Sequence, residues 1–203
     1  MKAIIFDMYG VILKDPEGRL MPFVQRHFPG METDDVYRHW RKANVGELSS
    51  RDFFTNVGFR GDLHRIEREY LDTVEINSSF YRAAETLGRH YRLALLSNDI
   101  SEWSNYLREK FDLNKYFDQV VISGDVKLKK PDLPIFSLML EKLALPASEC
   151  VYIDDRENNL AAAQFLGMRA LLFNNWNVEY SGSTISDFAE LVDLLAAKGS
   201  AQK

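Results

Sequence analysis

The chain has 203 residues, 46% of them apolar and 27% charged, the balance of an ordinary soluble globular protein with enough length for a substantial core. A formal net charge of −5 without any long basic run excludes the electrostatic footprint of a nucleic-acid binder or of a protein held on an anionic membrane. The single cysteine, Cys150, excludes an intramolecular disulfide and reads as a small core residue in an apolar run, which fits a reducing cytoplasm.

Ala3 to Phe6 is too short to span a membrane and too uniformly apolar for a half-exposed strand. It therefore reads as a strand buried on both faces of a parallel sheet. Asp7 cuts the apolar segment off before a secretory signal could form, and no membrane span is expected elsewhere. At the carboxyl end of a central strand, Asp7 stands where open α/β sheets bind ligands, although a strand end of this kind also suits a plain turn residue.

Asp15-Pro16-Glu17-Gly18 reads as a turn, after which helical periodicity runs to about Gly88. Leu20, Val24 and Phe28 recur until Pro29-Gly30. Thr33 is placed to cap a helix carrying Val36, Trp40 and Ala43, which Gly46 ends. Ser49-Ser50-Arg51-Asp52 resembles a capping box opening a helix with Phe53, Phe54 and Val57. Leu63, Ile66, Tyr70 and Val74 form another stripe, and Asn77 or Ser78 starts a helix through Phe80, Ala84 and Leu87 that returns the chain to the sheet. Trp40, Phe53 and Phe54 read as helix core, and His27, His39, His64 and His90 show no metal-ligand spacing.

From Tyr91 a strand, loop and helix rhythm repeats, the signature of βαβ units. Leu93 to Leu96, Val120 to Ile122, Cys150 to Ile153 and Ala170 to Phe173 read as four further strands. Ser123 to Lys130 reads as a loop, Pro131-Asp132 opens a helix, Ser186 caps the last helix, and Ala196 to Lys203 is expected to fray. The fold class is α/β: a Rossmann-like, doubly wound parallel sheet of five strands with an inserted α-helical subdomain. The core takes residues 1–14 and 88–203 and the insertion 15–87.

Parallel strands deliver their carboxyl ends to one sheet edge, which gathers Asp7, Ser97 with Asn98, and Asp154 with Asp155, and Lys130 ahead of a helix can join them. Three converging carboxylates repel unless a cation sits among them, and oxygen ligands of this kind suit Mg²⁺. A lysine and a hydroxyl then suit a phosphoryl group on that metal.

These residues carry a family resemblance. Phe-Asp-Met-Tyr-Gly-Val-Ile at Phe6 to Ile12, Leu-Leu-Ser-Asn at Leu95 to Asn98, Lys-Lys-Pro-Asp ahead of Ile135-Phe136, and Tyr-Ile-Asp-Asp with Asn159 look like the four motifs of the haloacid dehalogenase-like hydrolases, in order over nearly the whole chain. The resemblance implies that Asp7 is the nucleophile and forms an acyl-phosphate, with Ser97, Asn98 and Lys130 holding the phosphoryl oxygens. It implies Mg²⁺ bound by Asp7, the Tyr9 backbone carbonyl and Asp155, with Asp154 a ligand or a partner of one. The insertion, residues 15–87, is similar to the family's small α-helical cap, and within it Gly46 and Glu47 resemble the cap loop that dips toward the site and are expected to touch substrate. The implied enzyme is a Mg-dependent phosphatase of small phosphorylated metabolites, sugar phosphates among them, cytoplasmic and a monomer or small homo-oligomer. Hinges are expected near Lys14-Asp15 and Arg82 to Arg89, and Trp176 and Asn177 at the site's edge or over the sheet.

One departure matters. Phosphatases of this family commonly carry a second aspartate two residues after the nucleophile as acid and base, whereas this chain has Tyr9 there. A phenol near pKa 10 can donate a proton but is a poor base at neutrality, and Tyr9 also reads as a pocket wall. Tyr-Gly at this point also resembles the metal-free 2-haloacid dehalogenases, whose leaving halide needs no proton. Against that reading, Asp154-Asp155 keeps a paired acid, and Met31 follows Pro29-Gly30 where those enzymes place an arginine. A third reading is a weakly catalytic protein that binds a phosphorylated ligand or a partner.

Overall fold

A computed structural model describes residues 1–14, 17–175 and 177–199. The first strand, β1 (Ala3–Phe6), is wholly buried and sits in the middle of a parallel sheet. The others are β2 (Arg92–Ser97), β3 (Gln119–Ile122), β4 (Cys150–Asp154), β5 (Arg169–Phe173) and β6 (Thr184–Ile185), in the order β3-β2-β1-β4-β5-β6. Alternate residues of each strand enter different cores. Ile4, Phe6, Leu95, Ile153 and Phe173 face one, and Ile5, Ala94, Leu96, Tyr152 and Leu172 the other. That is why these strands read as continuous apolar runs. The sixth strand corrects the expected five. Two residues beside β5, held by Leu172 N to Ser183 O (3.0 Å) and Asn174 N to Ile185 O (2.8 Å), are too few to leave a periodic signal.

The inserted helices are α1 (Glu17–His27), α2 (Thr33–Ala43), α3 (Ser50–Val57) and α4 (Leu63–Leu71). The capping box of α3 is formed in both directions, Ser49 Oγ accepting from Asp52 N and Asp52 accepting from Ser49 N. Thr33 is the first residue inside α2 rather than its cap, and the residue before it, Glu32, takes the extended cap conformation. Helix α5 (Ser79–Leu87), which the sequence pattern assigns to the insertion, lies on the sheet: Phe80 packs edge-on against Phe6 at 5.8 Å and against Phe188 at 5.4 Å. The return crossing lies at residues 75–77, where Lys14 N donates to Glu75 O and Asn77 N donates to Ile12 O, both at 2.9 Å, and Leu13 bridges Ile76 antiparallel.

After β2 comes α6 (Ser101–Lys110), and after β3 a one-turn helix, α7 (Ser123–Val126), stands where a loop was expected, too short to show a helical period. Helices α8 (Leu133–Leu143) and α9 (Glu157–Phe165) cover the Ile5 face, and α10 (Phe188–Gly199) covers the Phe6 face. Asp187, not Ser186, caps α10 by accepting from Glu190 N at 2.8 Å, and the helix runs past Ala196. Asp15 and Trp176 lie outside the described residues. Cys150 is buried as expected, and burial pushes its thiol up to about 11.

The insertion is docked on α6 and α7. Trp103 Nε1 donates to Ser50 Oγ at 2.7 Å, Tyr106 donates to Asp72 at 2.6 Å, and the Arg68 guanidinium lies 3.6 Å over the Tyr106 ring. Gly46, at φ +71°, rests its α-carbon on the Gly124 backbone, where a Cβ would come within 2.3 Å of Gly124 O.

Candidate active site

The strand order reverses beside β1, since the chain passes from β1 to β2 on one side and takes β4 on the other. Register brings the strand ends level: Phe6 pairs with Leu95 and with Ile153, and Asp7 N donates to Ile153 O at 2.9 Å. Asp7, Asp154 and Asp155 each place a carboxylate oxygen within 4.8 Å of the others, the one such group of potential metal ligands among the described residues.

Lys130 reaches this cluster from the segment between α7 and α8 and is 4% exposed. Its Nζ lies 2.8 Å from Asp7 Oδ1 and 2.9 Å from Asp154 Oδ2. Burial alone would push the ammonium down, but the attraction of Asp154 and Asp7 outweighs it and holds Lys130 above the ordinary lysine value. Asn98 fixes its backbone from both sides, accepting from Lys130 N at 2.8 Å and donating to Lys130 O at 2.9 Å. Asn98 lines the site as expected, but these two bonds make it a clamp on Lys130 rather than a free reader of substrate.

Asp154 is saturated by the protein. It accepts from Lys130, from Arg156 N at 2.8 Å, from Asn159 Nδ2 at 3.0 and 3.1 Å to its two oxygens, and from the Tyr152 hydroxyl. Asp7 accepts from Met8 N at 2.6 Å, and burial first, then the charges of Asp154 and Asp155, raise its carboxyl well above the usual range against the pull of Lys130. Ser97 Oγ is fully buried and finds no hydrogen-bond partner among the described residues.

Tyr9 points its hydroxyl at a residue not counted among the expected site groups. It donates to Asp99 Oδ2 at 2.8 Å, and Asp99 Oδ1 accepts from Ile100 N at 2.8 Å. Burial, then the Asp99 charge, raises the Tyr9 phenol well above its ordinary value, so it stays protonated, and burial likewise raises Asp99. Asp99 follows Ser97-Asn98 directly, so its place at a strand end was the available signal.

Asp7, Tyr9, Asn98, Asp99, Lys130 and Asp155 floor a cavity of about 220 Å³ roofed by Leu20, Tyr37, Trp40, Tyr70 and Trp103, with Arg41 and Asn44 among them, whereas Ser97 and Asp154 are buried outside its lining. Trp40 therefore lines the cavity, while Phe53 and Phe54 are core as expected. Gly46 and Glu47 do not line it. The Gly46 segment is pressed on Gly124, and Asn44 just ahead of it reaches the cavity, its backbone and side-chain oxygens accepting from Ser123 Oγ. Asn177 does not line it either, whereas Asn175 Nδ2 donates to Gly10 O and holds the loop after Asp7.

A family model described as haloacid dehalogenase-like hydrolase matches residues 1–167. The chain belongs to the haloacid dehalogenase-like hydrolases. Among its relatives, a phosphorylated carbohydrates phosphatase from Thermotoga maritima is 27% identical over 184 residues, covering 84% of each chain. A D-ribitol-5-phosphate phosphatase from Bacteroides thetaiotaomicron is 25% identical over 82% of this chain and 89% of its own. A drimenol cyclase from Aspergillus calidoustus is 30% identical over 86% of this chain, which spans 34% of that larger protein. In structure, a family enzyme from Bacteroides thetaiotaomicron solved with magnesium and inorganic phosphate superposes at a TM-score of 0.76 with 20% identity, covering 89% of this chain and 98% of its own. A 2-haloacid dehalogenase from Pseudomonas syringae reaches 0.70 with 19% identity, covering 97% and 99%. These last two likenesses establish the haloacid dehalogenase-like hydrolase fold. No described helix is long and apolar enough to cross a membrane.

Proposed function

We propose that this hydrolase is a Mg²⁺-dependent phosphomonoesterase acting through an aspartyl-phosphate on Asp7. The observation that carries the reading is the charge count at the strand ends: three carboxylates within 4.8 Å and one buried lysine among them. Carboxylates crowded this closely repel one another, and a hard divalent ion with oxygen donors among them relieves that repulsion. Asp7, the Tyr9 carbonyl and Asp155 hold it, while Asp154, its oxygens taken by Lys130, Tyr152, Asn159 and Arg156, orients Lys130. When bound, Mg²⁺ supplies positive charge to the phosphoryl oxygens.

In this reading a carboxylate oxygen of Asp7 forms a bond to phosphorus as the bond to the substrate alcohol breaks, and water then cleaves the acyl-phosphate to inorganic phosphate and free Asp7. Ser97 Oγ, buried without a partner, donates to a phosphoryl oxygen, and Lys130 neutralises another. Tyr9 stays protonated on Asp99 as a wall, so the leaving alkoxide takes its proton without a positioned side-chain acid.

The reading is tested with p-nitrophenyl phosphate and alkyl phosphates. Phosphate release is expected with Mg²⁺ and not with a chelator, and the good leaving group is expected to turn over about 10²–10⁴ times faster than alkyl esters, the usual worth of a positioned acid. Metal-free chloride release from a 2-chloroacid would overturn it in favour of a dehalogenase. Gly10, at φ +76°, supplies a second check, because a Cβ there would stand 2.2 Å from Asp155 Oδ2. Gly10→Ala is expected to weaken Mg²⁺ binding, read by calorimetry, about tenfold or more.

A further inference from the structure

The floor of the cavity is polar, and its roof is apolar apart from Arg41 and from Asn44, whose oxygens already accept from Ser123 Oγ. Five roof side chains, Leu20, Tyr37, Trp40, Tyr70 and Trp103, present aliphatic or ring surface. Two of the polar tips nearest them are already engaged: Trp103 Nε1 donates to Ser50 Oγ at 2.7 Å, and the Tyr9 hydroxyl donates to Asp99 at 2.8 Å. The rings brace one another, Tyr70 on Trp103 at 4.9 Å and Tyr37 edge-on to Trp40 at 5.9 Å, so the wall is stiff. At about 220 Å³ the space is below the range usual for drug-sized ligands. A polyol seated here would bury hydroxyls against ring faces, and each hydroxyl left without a partner costs about tenfold or more in binding. Of the remaining polar side chains of the lining, Arg41, Lys129, Arg156 and Asn158 are exposed, so the solvent-facing rim is where a polar group can be met.

We propose, resting on the phosphatase reading, that the substrate is the phosphate monoester of a compact alcohol with an apolar ring or branched body, carrying any polar group at its far end, and that Tyr37, Trp40, Tyr70 and Trp103 select it. The preference runs against polyol phosphates.

Benzyl phosphate and ribitol 5-phosphate, both esters of primary alcohols, test the preference with leaving groups of similar character. The value of kcat/KM is expected to be at least about tenfold higher for benzyl phosphate. Trp40→Ala is expected to raise KM for benzyl phosphate about tenfold, while inhibition by inorganic phosphate, which reaches only the floor, changes less than about twofold. Equal or better turnover of ribitol 5-phosphate, or a Trp40→Ala effect equal on benzyl phosphate and inorganic phosphate, overturns the inference and leaves the phosphatase reading standing. If no ester is hydrolysed, that reading falls, and calorimetry on Asp7→Asn decides the inference separately: tighter binding of benzyl phosphate than of ribitol 5-phosphate supports it, and the reverse or equal affinity overturns it.

Discussion

Asp7→Asn is expected to lower phosphatase turnover by about 10⁴-fold or more and, without added metal at pH 7.5, to melt at a higher temperature than the unsubstituted chain. The first effect follows from the amide's failure as a nucleophile toward phosphorus. The second follows from the geometry around the carboxylate. Burial and the neighbouring Asp154 and Asp155 charges raise Asp7 well above its ordinary value of 3.8, so its ionised form costs the folded protein more than the unfolded one. Between the ordinary and the folded value the folded chain binds more protons than the unfolded chain, and stability falls as pH rises through that window. An amide keeps the shape and can still accept from Met8 N and Lys130 without carrying the charge. The melting difference should amount to about 2–4 °C for each kcal/mol recovered, and it should close as pH falls below the ordinary value of 3.8, where Asp7 becomes neutral in both states. Saturating Mg²⁺ should close it from the other side by stabilising only the carboxylate form. A variant melting lower than the parent at pH 7.5 would mean that Lys130 outweighs the repulsion.

Lys130→Met is expected to be the most damaging single change in the site. Nζ is a cation held against both Asp7 and Asp154, at 2.8 and 2.9 Å, with its side chain 1% exposed. Removing one partner of a buried ion pair costs about 3–5 kcal/mol, because the remaining charges stay buried without compensation. Here Asp7 and Asp154 are the carboxylates that lose it. Turnover should drop about 10³-fold or more, since Asp7 loses the charge that favours its ionised form and the phosphoryl group loses a neutralising contact. The melting temperature at pH 7.5 should fall and then partly recover as pH is lowered toward 5, because protonating Asp7, whose carboxyl burial already holds well above the usual range, removes its share of the repulsion. Asn98→Ala makes a companion measurement. It frees the Lys130 backbone on both sides while leaving the charge in place, so the stability loss should be smaller and without the acid recovery.

The two results separate what each group contributes. Asp7 carries charge that the proposed catalysis needs and the fold tolerates poorly. Lys130 is what allows the fold to tolerate it.

The placement of Asp7 and the acidic pair at one sheet edge was legible because buried parallel strands make short apolar runs with polar residues at their carboxyl ends, and collecting those ends gives Asp7, Ser97, Asp154 and Asp155 directly. The same periodicity located α1 to α5 and the capping box at Ser49. Elements too short to repeat, β6 and α7, left no such signal. The side of the sheet on which α5 packs was equally hidden, because Phe80 and Leu87 make an apolar stripe whichever body they join.

What the sequence by itself determined is which chemistry gathers at the sheet edge, since strand direction and alternation are local properties of the chain. Only the tertiary structure decided how those groups divide the work. Asp154 is occupied by Tyr152, Asn159 and Lys130, Tyr9 turns to Asp99, and the roof over them is aromatic because Trp40 from one helix and Trp103 from another meet there. Hydrogen bonds between residues 90 positions apart, and walls built from helices in different halves of the chain, have no local signature.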